Sequence, residues 1–467
     1  MPLANLITPK KINVLGGLRF SFSFILIAFF FPAFSQDNSP YSRYGLGDLV
    51  PSTNMNTRGM GGISAGYADF LSINFNNPAS YSSFQALKEA KAKKILYGRA
   101  ILDLGLNIEN HTLAEPNRTG KFTSSNALFS HVQIGIPLRA NWGLSFGLRP
   151  ITQISYKINQ GGKVLDAVTG LPTADSTQTL SQGDGGTYLA SAGTGFRIGK
   201  LSLGFNGGYL FGKKDYSSRR SIINDTVAYN SGNFETKTTY GKLYFNMGLQ
   251  YLVKLDSSTF MTLGAYGNLK QKLNATQDIV RETFYYDPNA GNVRIDSAYE
   301  KNGIKGKVEY PSSFTAGFII QRVPDNKKGG WLIGVDFSES SWKNYSFYDQ
   351  VDSLRNNWEI RVGGELRPSL GSARKSYFGN VAYRAGFFFG PDYIQVKEKL
   401  PVLGLTLGLG LPIRNYNRLS PGQATLINLA VEYIKRGNNN NSLKENMFRI
   451  SVGFSLSDFW FAKKKYE

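Results

Sequence analysis

Few side chains in this 467-residue chain can do covalent or metal chemistry. Cysteine is absent, which removes disulfides, thiol catalysis and thiolate-bound zinc. The two histidines are His111, in a stretch expected to be a loop, and His131, in an expected strand. A hydrolase built on His131 would need a serine and an acid brought to it by the fold, and no motif marks such a serine. No enzyme is therefore expected. Asp278, Glu282, Asp287 and Asp296 share one polar stretch, 276–302; as loop carboxylates they suit weak Ca²⁺ contact, not a dedicated metal cage. RGMGGISAG at 58–66 is rich in glycine but lacks the Lys-Ser/Thr ending and the strand–loop–helix setting of a phosphate loop. No catalytic, cofactor or metal site is expected, which leaves binding, passage or docking.

The elements that would position any site are strands. In the last of them Phe448, Ile450, Val452, Phe454 and Leu456 alternate with Arg449, Ser451, Gly453, Ser455 and Ser457. Side chains alternate faces along a strand, so one face suits lipid and the other water. About fourteen such strands are expected, over 93–109, 124–137, 142–159, 186–199, 201–216, 237–253, 259–275, 303–322, 331–346, 354–367, 377–391, 396–411, 423–435 and 444–460. All exceed the ~9–11 residues that a tilted transmembrane strand needs. Soluble sandwich strands average only ~5–6 residues. The fold class read here is all-β: a transmembrane antiparallel β-barrel of about 14 strands with an N-terminal lumenal hatch or plug.

Targeting and charge agree with that reading. Lys10, Lys11 and Arg19 precede an apolar run from Phe20 to Phe31, then Pro32, Ala33, Phe34 and Ser35, the pattern of a secretory signal peptide cleaved after Ser35. The run is too short for a retained membrane helix. The formal charge is +20, but its lysines and arginines are spread over turns, loops and polar strand faces, with no basic helix, so no nucleic-acid partner is expected. Anionic outer-leaflet lipids are the expected counterpart. The divisions read here are 1–35 signal peptide, 36–90 hatch and 91–467 barrel. Long polar stretches at 110–123, 160–185, 217–236 and 276–302 read as extracellular loops. Tight turns near Arg139–Asn141, Gly199–Lys200 and Lys254–Ser258 read as periplasmic. Trp142, Trp331 and Trp460 fall on the periplasmic side, where indole rings favour the membrane boundary. The location expected is the outer membrane of a Gram-negative type cell.

Residues 36 to about 90 carry SPYSRYGLGDL, RGMGGISAGYAD and INFNNPASYS. They lack alternation, yet are too apolar and aromatic for a disordered tail, so they are expected to pack inside the barrel. Here the chain resembles the FadL/TodX family of outer-membrane transporters of hydrophobic compounds. The resemblance rests on Arg58, Gly59, Met60, Gly61 and Gly62, then Ala68 and Asp69, then Asn77, Pro78 and Ala79. It implies a fourteen-stranded barrel with an N-terminal hatch. None of the family's ligand contacts is recognisable, so no ligand-binding residue is carried over.

Pro150 interrupts the third strand, in GLSFGLRPITQISYKI. Proline cannot donate to the ladder, so a kink is expected. It is either a bulge that sets curvature or, as the resemblance implies, a lateral opening from lumen to bilayer. Pro311 reads as the start of the eighth strand, and Asn77-Pro78-Ala79 as a turn that fixes the hatch. KKKYE at 463–467 is a basic tail or a docking element. Two functions follow. One is passive uptake of hydrophobic small molecules, such as long-chain fatty acids or aromatic compounds, through hatch and lateral opening. The other is a non-transporting barrel that docks to secretion or assembly machinery proteins.

Overall fold

The computed structural model describes residues 39–460 apart from 89–94, 117–118, 167, 225, 228, 288, 290, 372–375, 397 and 414–422. The expected signal peptide and the 463–467 tail lie outside the described residues. One antiparallel sheet holds β1 (Asp48–Leu49), β2 (Ala86–Lys88), β3 (Ile95–Ala114), β4 (Lys121–Arg139), β5 (Trp142–Leu165), β6 (Pro172–Ile198) and β7 (Leu201–Ile223). It continues through β8 (Ser231–Lys254), β9 (Thr259–Asn268), β10 (Gln271–Asp287), β11 (Gly291–Tyr310), β12 (Ser313–Arg322) and β13 (Gly330–Ser340). It ends with β14 (Ser346–Phe347), β15 (Asn357–Arg367), β16 (Ala382–Val396), β17 (Glu398–Ile413), β18 (Ala424–Arg436) and β19 (Lys444–Trp460). β9 with β10 makes one stave and β11 with β12 another; β1, β2 and β14 are short additions, which leaves fourteen staves. The barrel closes where β19 pairs with β3, from Lys444↔Ala114 to Trp460↔Gly98.

Closure follows from the environment that the outer face demands. On β8 Leu243, Phe245, Met247, Leu249 and Tyr251 are exposed, while Tyr244, Asn246 and Gln250 between them are buried. On β17 Leu403, Leu405, Leu407 and Leu409 face out and Thr406 is buried. On β19 Arg449, Ser451 and Ser455 are buried, and Phe448, Ile450, Phe454 and Leu456 are exposed. The molecule is inverted, with polar residues inside and an apolar belt outside, and only hydrocarbon covers such a belt without cost. In hydrocarbon a sheet edge leaves amides unpaired at several kcal/mol each, so the sheet must close on itself.

The expected strands are observed, but several are longer. The stretches 160–185, 217–236 and 276–302, expected as loops, are mostly strand: β5–β6, β7–β8 and β10–β11 continue as hairpins. Most of 110–123 is likewise strand in β3 and β4. Above the apolar belt both faces meet water, so alternation vanishes while the backbone ladder persists. The short turns stand as expected, between β4 and β5, β6 and β7, and β8 and β9. In the second half the contrast fades, as β16 ends at Val396 and β17 begins at Glu398 at the hairpin end. Pro311 does not start the eighth stave; it divides it, with β11 before and β12 after, and its carbonyl accepts Asn268 Nδ2 at 2.9 Å.

The segment 39–84 lies against the inward faces of the staves and is largely buried. It makes a circuit of the wall at inward glycines, by side chain at Met55 and Asn77 and by backbone at the others. Met55 meets Gly453 of β19, Gly59 meets Gly408 of β17 and Met60 meets Gly363 of β15. Ala65 then meets Gly264 of β9, Asn77 meets Gly248 of β8 and Pro78 meets Gly204 of β7. A Cβ at Gly408 would lie 2.8 Å from Gly59 Cα, and one at Gly204 would overlap the Pro78–Ala79 peptide. Glycine is what lets backbone pack on backbone here.

Candidate functional site

The lumenal segment is shaped by local capping and then clamped by the wall. Asn54 accepts the Thr57 amide at 3.0 Å and starts a one-turn helix, Met55–Arg58. Gly61 and Gly62 follow with φ of 66° and 83°, a turn that only glycine makes cheaply. The Gly61 amide donates to Thr406 Oγ1 at 2.8 Å. Asp336 of β13, fully buried, accepts the amides of Ser64 and Ala65 at 2.6 and 2.9 Å. Asp69 accepts Asn56 Nδ2 and the Tyr67 hydroxyl. Asn77 caps the 3-10 turn Pro78–Ser83 through the Ala79 amide, and its Nδ2 donates to Ala65 and Leu249 carbonyls at 2.7 and 3.1 Å. Asn77-Pro78-Ala79 is thus a turn and a clamp at once.

Arg58 is the hub. Nη1 donates to Asn107 Oδ1 of β3 at 2.5 Å and to Ser451 Oγ of β19 at 3.2 Å. Nη2 donates to the carbonyls of Pro51 and Thr53 at 3.1 and 2.7 Å and to Ser130 Oγ of β4 at 3.2 Å. It holds the lumenal segment to the first, second and last staves. Burial lowers its pKa to about 10, partly offset by Glu432, so the guanidinium stays charged at neutral pH.

At Pro150 two things happen together. Ile151 is an extra residue in the β5–β6 ladder, between Pro150↔Tyr188 and Thr152↔Thr187, which is a bulge. On its other edge β5 leaves β4: their ladder runs from Arg139↔Trp142 only to Val132↔Leu148. Beyond it β4 continues against β3 to Lys121. The interruption begins inside the apolar belt, since Leu106 and Ile108 of β3 and Phe129 of β4 are exposed there. Residues 42–50 take up the released edge of β5. Asp48 and Leu49 pair with Gln153 and Thr152, Val50 N donates to Ile151 O, and Ser42 Oγ bonds the Ser155 backbone.

A lumenal cavity of about 340 Å³ is lined in part by Leu49, Val50, Arg149 and Ile151, the residues beside this interruption. Tyr244, Tyr310, Trp342 and Tyr393 give it an aromatic side. Ion pairs give it a charged one. Arg436 meets Asp48 at 2.9 Å, Asp392 at 2.7 Å and Glu445 at 3.2 Å. Arg449 meets Glu109 at 2.6 Å and Glu432 at 2.9 Å. Burial pushes Asp48 up to about 6, against the opposing pull of Arg436.

Both histidines are lumenal. His111 is not in a loop but in β3, with its ring nitrogens 2.6 Å from Glu445 and 3.1 Å from Glu109; it bridges the two arginine clusters. His131 does acquire a serine and an acid. Ser130 Oγ is 3.2 Å from Nδ1 and Asp103 Oδ1 is 3.6 Å from Nε2. The ladder shift between Gly105 and Leu106 turns Ser130 inward beside its neighbour. All three are buried, and none lines the cavity, so the hydroxyl faces Arg58 and not a substrate. Asp278 and Glu282 are engaged by the Gly303 amide and by Asn233, and no metal-holding cluster is present among the described residues. Sequence reasoning missed Arg149 and the Asp48–Arg436–Glu445 cluster. The only available signal was charge at the inward parity of an otherwise apolar strand.

No curated protein matches the chain in sequence. The fold is shared with solved structures of a Pseudomonas aeruginosa FadL homologue and of the Pseudomonas putida toluene transporter TodX. The first is 12% identical with a TM-score of 0.53, covering 90% of this chain and 100% of that one. The second is 15% identical with a TM-score of 0.50, covering 88% and 99%. The FadL/TodX architecture suggested by the motifs at 58–79 is the architecture observed. A family model described as BamG matches residues 18–467, nearly the whole chain, and this protein belongs to the BamG family.

Proposed function

We propose that this is an outer-membrane barrel that passes hydrophobic or amphipathic small molecules sideways between its lumenal cavity and the bilayer. The observation that carries the reading is the end of the β4–β5 ladder at Leu148, where the cavity reaches the wall inside the apolar belt. A lateral route keeps an apolar chain out of water, worth ~25 cal/mol per Å² of surface. Residues 42–50 lie along the released edge and act as the strap that must yield. Movement is passive, down a gradient. The solved barrels of like fold, a FadL homologue and a toluene transporter, support the reading.

Replacing Pro150 with Val restores an amide donor at the kink. Uptake of a radiolabelled fatty acid into proteoliposomes is expected to slow several-fold in the variant. Unchanged uptake by a folded Pro150→Val barrel refutes the lateral route.

A second reading is favoured by a different observation. The glycine circuit and the apolar cluster of Tyr41, Leu46, Trp342, Tyr345 and Tyr393 narrow the lumen at two levels, as suits a closed barrel that serves as a subunit. The sheet formed by β5, β6, β7, β8, β10 and β11 extends beyond the belt and would be its docking surface for secretion or assembly machinery. Native mass spectrometry of the protein gently extracted from its membrane separates the two: a small apolar adduct on a monomer, or a stoichiometric protein complex without one.

A further inference from the structure

At the short-turn end of the barrel the outward face is not filled evenly. On β7 and β8 the three outward rows nearest the turns are bulky. Leu201 lies beside Tyr251, Leu203 beside Leu249 and Phe205 beside Met247, all exposed. On β13, β15 and β16 the first outward row is Trp331, Leu366 and Tyr383, but the second is Ile333, Gly364 and Ala385. Val335, Val362 and Phe387 make the third. The small residues Gly364 and Ala385 leave a groove of about 540 Å³ in the apolar belt, walled by Trp331, Ile333, Leu366 and Tyr383. The side chains of Leu332, Glu365 and Arg384 behind it are buried at the inward parity, so the surface offered is apolar.

Two features set this groove apart from bare belt. The β15–β16 connection turns outward over its foot, where Tyr383 Oη donates to Phe378 O at 3.5 Å and Tyr377 packs edge to face on Phe378. Phe378 is 70% exposed, and Leu370 and Tyr377 are exposed with it. Aromatic side chains held open at this level suit the zone between hydrocarbon and headgroups. Next to Trp331 the β12–β13 turn carries Lys327 and Lys328, both exposed and without an ion pair among the described residues. Asp325 accepts their backbone amides and meets Arg322 at 3.9 Å, so three cations stand against one carboxylate. Backbone bonds join this turn to the β15–β16 connection, from Leu370 N to Asp325 O and from Gly371 N to Asn326 O.

Lipid tails cover the whole belt, but here a notch, an aromatic rim and unpaired cations meet on one stretch of wall. A notch favours an acyl chain through its buried apolar surface, and lysines at headgroup level favour phosphate. We propose that β13, β15 and β16 form a discrete site for one anionic glycerophospholipid of the leaflet at the short-turn end. An acyl chain lies in the Gly364–Ala385 groove, with the phosphate at Lys327 and Lys328. The site is on other staves than the β4–β5 interruption and stands whether or not the lumen conducts.

The test is native mass spectrometry of the full chain released from nanodiscs that hold phosphatidylglycerol and phosphatidylcholine of identical chains in equal amounts. One phosphatidylglycerol per chain is expected to be retained, preferred by about five- to thirtyfold, the scale of one to two lysines near a headgroup. Ala385→Leu fills the groove from an exposed position and is expected to remove the retained lipid. Lys327→Gln together with Lys328→Gln is expected to keep a retained lipid but level the two headgroups. Folding of each variant is checked by heat-dependent gel mobility. Equal retention of both lipids by the wild type overturns the anionic assignment. Retention that Ala385→Leu leaves unchanged in a folded barrel overturns the groove, and so does the absence of any retained phospholipid. A wild-type dimer that Ala385→Leu dissociates gives the groove to a second copy and overturns the lipid. A single-chain adduct in the lumen survives Ala385→Leu, so this site and the lateral route fail separately.

Discussion

Arg58→Met is the sharpest perturbation of the lumenal segment. Methionine fills much of the volume but removes five hydrogen bonds, to Asn107, Ser451, Pro51 O, Thr53 O and Ser130. The two serine hydroxyls can rotate to other partners. The Asn107 amide oxygen and the carbonyls of Pro51 and Thr53 cannot, and each orphaned buried acceptor costs about 1–3 kcal/mol. Removing a buried charge that has no ion pair among the described residues returns part of this. The net expectation is about 3–6 kcal/mol, at the upper end for a point substitution. It falls on the segment and not on the wall, because the fourteen-stave ladder makes no use of Arg58. Hydrogen exchange of the Gly59, Met60 and Gly62 amides, bonded to Met55 and Thr57 carbonyls, reads it directly. At about 1.4 kcal/mol per decade, their exchange should accelerate ~10²–10⁴-fold, with strand amides of β7 and β8 unchanged. Arg58→Lys keeps the charge but not the fork and should fall between. Wild-type protection of these amides in a folded Arg58→Met barrel refutes the hub argument.

Further expectations follow from the same packing. Gly204→Val puts a side chain into the Pro78–Ala79 peptide, and overpacking of about 1–3 kcal/mol or more should loosen the segment, read as faster protease cleavage within 70–84; an unchanged digestion pattern contradicts the close approach. Asp48 carries a folded pKa of about 6, above its ordinary value near 4. Its stabilising contribution is therefore complete below about pH 4 and is lost as pH rises through 6, by on the order of 1–3 kcal/mol. Against Asp48→Asn, which cannot titrate, the wild type should lose stability between pH 4 and 7; parallel unfolding midpoints for the two proteins would sink this.

The sequence by itself determined the barrel. Period-two alternation in segments such as 444–460 and 201–211 encodes which face meets lipid, and hydrocarbon permits only a closed sheet, so strand number and approximate ends were legible. The motifs at 58–62 and 77–79 marked the lumenal segment because clustered glycines and Asn-Pro, without period-two alternation, punctuate turns and not a lipid-facing strand. Strand extents beyond the belt were not legible, because water on both faces erases the alternation. What only the tertiary structure decided is which inward charges meet. Glu445 and His111 are 334 residues apart, and Ser130, Asp103 and His131 converge only through the β3–β4 register and its shift. Pro150 was visible as a break. That the break coincides with the end of the β4–β5 ladder depends on cross-strand register and on where residues 42–53 run. Neither is a local property of the chain.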